Sequence, residues 1–200
     1  MKDRDVVVVD VETQYLSNEI GGWKNLDKML VGCAVTYSFL TDDYEVYSYA
    51  GINDLRERLL AADEVVGFNL WRFDAPVIFE MKLDDWFKSD IFKKLEHKQN
   101  DLLRRIWISK GLDPSTFGGA HKGLSLATIS EATLGCSKDT SLGAEAPNLL
   151  REGHIDLLHS YCIRDVKLTR DLYTFIDKYG YVIDGSDTVI RIWAEANEKV

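Results

Sequence analysis

The residues of this chain best suited to chemistry are carboxylates in places where carboxylates are costly. Four valines, Val6 to Val9, run directly into Asp10-Val11-Glu12-Thr13. Valine is branched at Cβ and favours a pleated strand. Side chains alternate along a strand, so Asp10 and Glu12 continue the face of Val6 and Val8. Two carboxylates side by side at the mouth of a hydrophobic strand raise each other's pKa unless a cation answers them. A divalent ion that prefers hard oxygen ligands, Mg²⁺ or Mn²⁺, is the simplest compensation. The bland alternative is a strand that ends at Val9 and leaves both acids in water. A second anomaly lies far downstream. Leu158, Tyr161, Asp165, Leu168, Leu172 and Phe175 follow the three- and four-residue steps of one helix face. Asp165 interrupts that apolar stripe, and a lone buried charge is expensive. A cation shared with Asp10 and Glu12 would compensate it, and so would an ion pair with Arg164 or Arg170. Tyr161 stands one turn earlier, with its hydroxyl able to reach the same place. Asp74 precedes Ala75-Pro76, where helix capping or a place beside the same cation each explains an acid.

The elements that must position these groups can be read in order. Residues 5 to 12 form a strand, and 13 to 28, with Gly21-Gly22, a loop over its end. Residues 30 to 39 form a second strand, 41 to 43 a turn, and YEVYSYA from Tyr44 a third. Short connections favour an antiparallel meander for these three. A helix carrying Leu55, Leu59 and Leu60 follows, with Asn53 or Asp54 as its cap, and then a strand over 64 to 68. A strand–helix–strand unit of this kind yields a parallel neighbour. Pro76 suits the first turn of the next helix, with Asn69 or Asp74 as cap. Residues 84 to 110 read as mostly helical, and 111 to 124, rich in glycine, as a loop. LSLATISEATLG is a helix closed by Gly135, and a loop over 136 to 147 ends at Pro147. The longest helix covers 154 to 178 and stops at Gly180; the tail forms a hairpin around Asp184-Gly185. The expectation is an α/β fold, a single domain over 1–200, whose mixed β-sheet joins an antiparallel meander to parallel strands and is flanked by α-helices.

Composition narrows the functional classes. The chain is 46% hydrophobic with 5 Trp, 9 Tyr and 8 Phe, enough for a substantial core. Its net charge of -9, from 33 acids against 24 bases, argues against broad clamping of a duplex. A nucleic acid held locally through metal ions and a few bases remains compatible with that charge. Cys33, Cys136 and Cys162 form no CxxC and read as reduced thiols. The opening MKDRD has no apolar signal region and no apolar run approaches about 18 residues, so a cytoplasmic protein without a membrane partner is expected.

Taken in order, Asp10-x-Glu12, Asn69-x-x-x-Phe73-Asp74 and Tyr161-x-x-x-Asp165 resemble the three exonuclease motifs of the DEDD superfamily. That superfamily has a ribonuclease H-like fold and includes the DnaQ-like proofreading exonucleases. The resemblance spans residues 5 to about 176, and SLATISEATLG through YCIRDVKLTRDLY also resembles the YprB-like subgroup. Tyr161, four residues before the last acid, is similar to the DEDDy branch. His159, six residues before Asp165, falls roughly 240° around the helix, off that face.

The resemblance implies 3′→5′ exonucleolysis of single-stranded DNA or RNA ends, with a helicase or polymerase as the kind of protein partner. It implies two divalent ions, Mg²⁺ or Mn²⁺, on Asp10, Glu12, Asp74 and Asp165. Tyr161 would orient the attacking water, since a phenol with a pKa near 10 is a poor base at neutral pH. Thr13 and Asn69, beside the motifs, would contact the terminal nucleotide. Among Phe68, Trp71, Phe73, Tyr15 and Trp23, the foremost candidates for base stacking are Trp71 and Tyr15. Lys122 and Lys138 are placed to meet phosphates. Three other readings stand beside this one: an endonuclease or structure-specific nuclease on the same fold, a catalytically silent helicase-associated module that binds nucleic acid, and an acidic scaffold with structural ion pairs.

Overall fold

The computed structural model describes residues 4–114, 123–136 and 145–192. The valine run forms strand β1 (Val6–Thr13), followed after a loop and a short 3₁₀ turn by β2 (Val31–Ser38) and β3 (Asp43–Tyr47). Helix α1 (Ile52–Ala61) leads to β4 (Glu64–Gly67), a π-helical turn at Leu70–Asp74 and the short helices α2 (Ala75–Ile78), α3 (Leu83–Trp86) and α4 (Asp90–Leu95). Strand β5 (Gln99–Asp101) runs directly into α5 (Leu102–Ser109). Helices α6 (Leu126–Leu134), α7 (Ala146–Arg151) and α8 (Ile155–Tyr179) precede a hairpin of β6 (Tyr181–Ile183) and β7 (Val189–Arg191).

Five strands form one sheet in the order β3-β2-β1-β4-β5, while β6 and β7 pair separately. β1, β2 and β3 are antiparallel neighbours; β4 lies parallel to β1, and β5 parallel to β4. β1 is central because both its faces are apolar. Val6 and Val8 join the core under α5, α6 and α8, and Val7, Val9 and Val11 join the opposite core under α1, α2 and α4. Each of these valines is buried, worth about 1.5 kcal/mol or more apiece. The pairing partners end at different points. β4 accompanies β1 only through Val8, while β2 continues alongside to Thr13. The last residues of β1 are therefore open on one side, at the carboxyl ends of the parallel strands, where open α/β sheets leave a crevice.

Several expectations change in the structure. The stretch read as mostly helical over 84 to 110 contains β5, an edge strand of only three polar residues, Gln99-Asn100-Asp101. It shows no apolar alternation and is held by its pairing with Val65, Val66 and Gly67. Helix α7 occupies the end of the presumed loop over 136 to 147, with Pro147 in its first turn, where proline is tolerated. Asn53 and Asp54 lie inside α1 rather than capping it, since Gly51 precedes the helix. Neither Asn69 nor Asp74 caps with its side chain; the π-turn carries the chain into α2 instead. Helix α8 does stop at Gly180, which takes the left-handed conformation at φ 72° and donates its amide to Ile176 O at 2.8 Å. Among the described residues no helix is long and apolar enough to cross a membrane.

Candidate metal centre

The exposed end of β1 carries the first two acids. Asp10 is half-buried and Glu12 buried, on the face that continues Val6 and Val8. α8 packs across that face, so its interrupted apolar stripe meets β1 where the valines give way to carboxylates. Leu158, Cys162, Val166 and Leu172 fill the core. Asp165, 5% exposed, is delivered to the two strand acids. Ligand oxygens of Asp10, Glu12 and Asp165 all lie within 4.8 Å of one another. Two ionised carboxylates at that separation repel by about 3 kcal/mol at an effective dielectric constant near 20. The set is all hard oxygen, partly shielded from water, and could hold divalent metal ions. The arginines weighed against that reading are otherwise placed: Arg170 bonds to Asp171 and to Tyr44, and Arg164 is exposed.

Asp74 lies outside the 4.8 Å cluster but lines the same cavity, which measures about 570 Å³. It is 2% exposed. Burial, then the charge of Asp101, then that of Asp165, push its carboxyl up to about 8, although amide donors from Val11 and Asp74 itself pull the other way. The bond to Val11 follows from the topology: beyond Val8 the β4 side of β1 is open, and the Asp74 carboxylate occupies it. Tyr161, buried one turn before Asp165, also faces the cavity. The Cys162 thiol donates to Asp10 O at 3.4 Å and lies 3.7 Å from Asp10 Oδ2, tying the strand acid to α8.

Thr13 and Asn69 line the cavity. The Thr13 hydroxyl donates to Tyr15 O at 2.9 Å, and Asn69 takes the left-handed conformation at φ 74°. Tyr15 and Trp23 form an exposed aromatic rim, 39% and 62% accessible, with Phe68 and Phe73 deeper. Trp71, expected to stack on a base, does not line this cavity. Its ring packs edge-on to Phe92 at 5.1 Å and under Arg104 at 4.3 Å, lining a separate cavity on the far side of the π-turn. Consecutive residues on a tight turn point in different directions, and no sequence pattern distinguishes Trp71 from Phe73 in that respect. His159 is half-buried and absent from the cavity lining. Lys122 and Lys138 lie outside the described residues.

Two contributors escape a motif-based reading. Ser125, Leu126 and Ala127, at the start of α6, close one wall of the cavity. The signal was Ser125 three residues before Thr128, whose amide it caps at 3.2 Å. Asp101 lies behind the π-turn and accepts the amides of Asn69 and Trp71. An acid immediately before LLRRIWI marks a helix start, which hides its second task. No protein-family model matches the chain, and a search of curated proteins finds no match.

Proposed function

We propose that the protein is a metal-dependent 3′→5′ exonuclease of ribonuclease H-like fold that removes nucleotides from single-stranded DNA or RNA ends. One observation carries the reading: acids from the end of a central strand and from a helix far downstream in the chain bring ligand oxygens within 4.8 Å of one another. The sheet order, with an antiparallel meander beside parallel strands, supports the fold assignment. The polarity rests on the motif resemblance.

When bound, a pair of Mg²⁺ or Mn²⁺ ions supplies the charge neutralisation and Lewis acidity that in-line phosphodiester hydrolysis requires. Asp10, Glu12 and Asp165 would hold them, with Asp74 at the cavity wall as the fourth acid. Tyr161 orients the attacking water through its hydroxyl, from the same helix face as Asp165. Thr13 and Asn69 contact the last nucleotide, and the rim rings of Tyr15 and Trp23 stack on unpaired bases. A cavity walled by carboxylates repels phosphate unless cations intervene, so the acidic chain acts on nucleic acid only in the loaded state.

Digestion of end-labelled single-stranded DNA and RNA with Mg²⁺, Mn²⁺ or EDTA tests the reading. The expected result is a ladder shortening from the 3′ end, abolished by EDTA and, without loss of fold, by Asp10→Ala or Asp165→Ala. Internal cuts would make the protein an endonuclease. Binding without hydrolysis would make it a silent module, and full activity in either variant would remove the assigned ligands.

A further inference from the structure

Asp101 belongs to no motif and does not line the acidic cavity, yet its carboxylate is buried behind that cavity. It ends β5, paired with Gly67 of β4. Its Oδ1 accepts the amide of Arg104 at 3.2 Å, an ordinary N-cap for α5. The same Oδ1 accepts the amide of Asn69 at 3.0 Å, and Oδ2 that of Trp71 at 2.9 Å. The latter two bonds reach across about thirty residues of chain and contribute nothing to capping.

The segment they hold is an unusual one. Asn69 sits in the left-handed region, favourable for few residues other than glycine, and the turn after it is π-helical. The first amides of such a turn have no partner within it. Asp101 provides that partner on one side. On the other, Phe73 donates to Asn69 O at 3.0 Å, and Asp74 then reaches the Val11 amide at the open end of β1. We propose that Asp101 is a positioning residue of the candidate centre: by clamping the amides of Asn69 and Trp71 it sets the turn that places Asp74 beside Asp10, Glu12 and Asp165. The inference rests on the metal-dependent reading for its functional meaning, but not for its geometry.

The decisive variant is Asp101→Ser. A serine hydroxyl retains the α5 cap but is too short to span both Asn69 and Trp71. Amide exchange by NMR reads the geometry without metal, and calorimetric Mn²⁺ titration reads the site. The expected result is a folded protein in which the Val11 amide exchanges at least about tenfold faster. Mn²⁺ affinity should fall about 10–100-fold, the usual effect of removing a group that orients a ligand. Turnover should fall with KM near the wild-type value, and Asp101→Asn, which keeps one acceptor, should be intermediate. Wild-type Val11 exchange and wild-type Mn²⁺ affinity in a folded Asp101→Ser protein would overturn the proposal. So would rapid exchange of the Asn69 and Trp71 amides in the unmodified protein, a measurement that needs no variant to fold. If the unmodified protein binds no Mn²⁺ while Asp101→Ser still frees Val11, the metal reading fails and the clamp on Asp74 stands.

Discussion

A carboxyl group in the position of Asp74 is not readily ionised without a cation, and that has consequences at the scale of single residues. Its pKa, about 8, lies above the ordinary carboxylate value of 3.8. A raised acid contributes no penalty below the unfolded pKa and an increasing one as pH climbs toward the folded pKa. Buried Asp101 is shifted the same way. Asp5 and Asp184 are shifted downward by Arg58 and Lys110, so their contributions are lost only below the ordinary carboxylate range. Between about pH 5 and pH 8 the raised acids decide the slope. In EDTA, the melting temperature is expected to fall across that interval, and Asp74→Asn should flatten the fall. A profile that Asp74→Asn leaves unchanged would contradict the burial argument. Tyr161 makes a separate prediction. If it orients water rather than carrying charge, Tyr161→Phe should lower kcat by about 10²-fold or more with little change in KM. An unchanged kcat would remove the phenol from the mechanism.

Among the elements, the passage from β4 into the π-turn is tight. A Cβ built on Gly67 would lie 2.9 Å from Leu70 Cβ, closer than the backbone permits without movement. Gly67→Ala is therefore expected to displace the start of the turn that carries Asn69, Phe73 and Asp74, costing about 1–3 kcal/mol of stability. Denaturant unfolding would measure the loss, and unaltered stability would show that the turn yields without cost. Much at this scale was legible in the residues. The valine run, the spacing on α8 and the glycine stops at Gly135 and Gly180 each announce an element through local chemistry. β5 and the π-turn were not legible, because neither follows a hydrophobic period. Gln99-Asn100-Asp101 becomes a strand only by pairing with β4, and the π-turn is held by Asp101 from outside its own sequence.

For the whole molecule, the central question is whether ions act as part of the fold. Three acids lie within 4.8 Å of one another with a fourth buried close by, and under the proposed reading ions that neutralise them stabilise the fold. Mn²⁺ at a hundred times its Kd would stabilise the fold by about 2.7 kcal/mol, a rise in Tm of about 5 °C or more for a chain of this size. At one fixed Mn²⁺ concentration the rise should be larger at pH 8 than at pH 5, where protons compete for the acids, and absent in Asp10→Ala; no shift at either pH would favour an acidic scaffold. Residue type and spacing marked Asp10, Glu12 and Asp165, with Tyr161 one turn away, because a charge breaking an apolar pattern is a local signal; Asp74 joined them only through the motif resemblance. Their meeting was a tertiary outcome. It required β1 to outrun β4, α8 to cross the exposed strand end, and Asp101 to hold the turn bearing Asp74. The same outcome turned Trp71 away and left Tyr15 and Trp23 at the rim, since the direction of a side chain on a turn is set by what packs behind it.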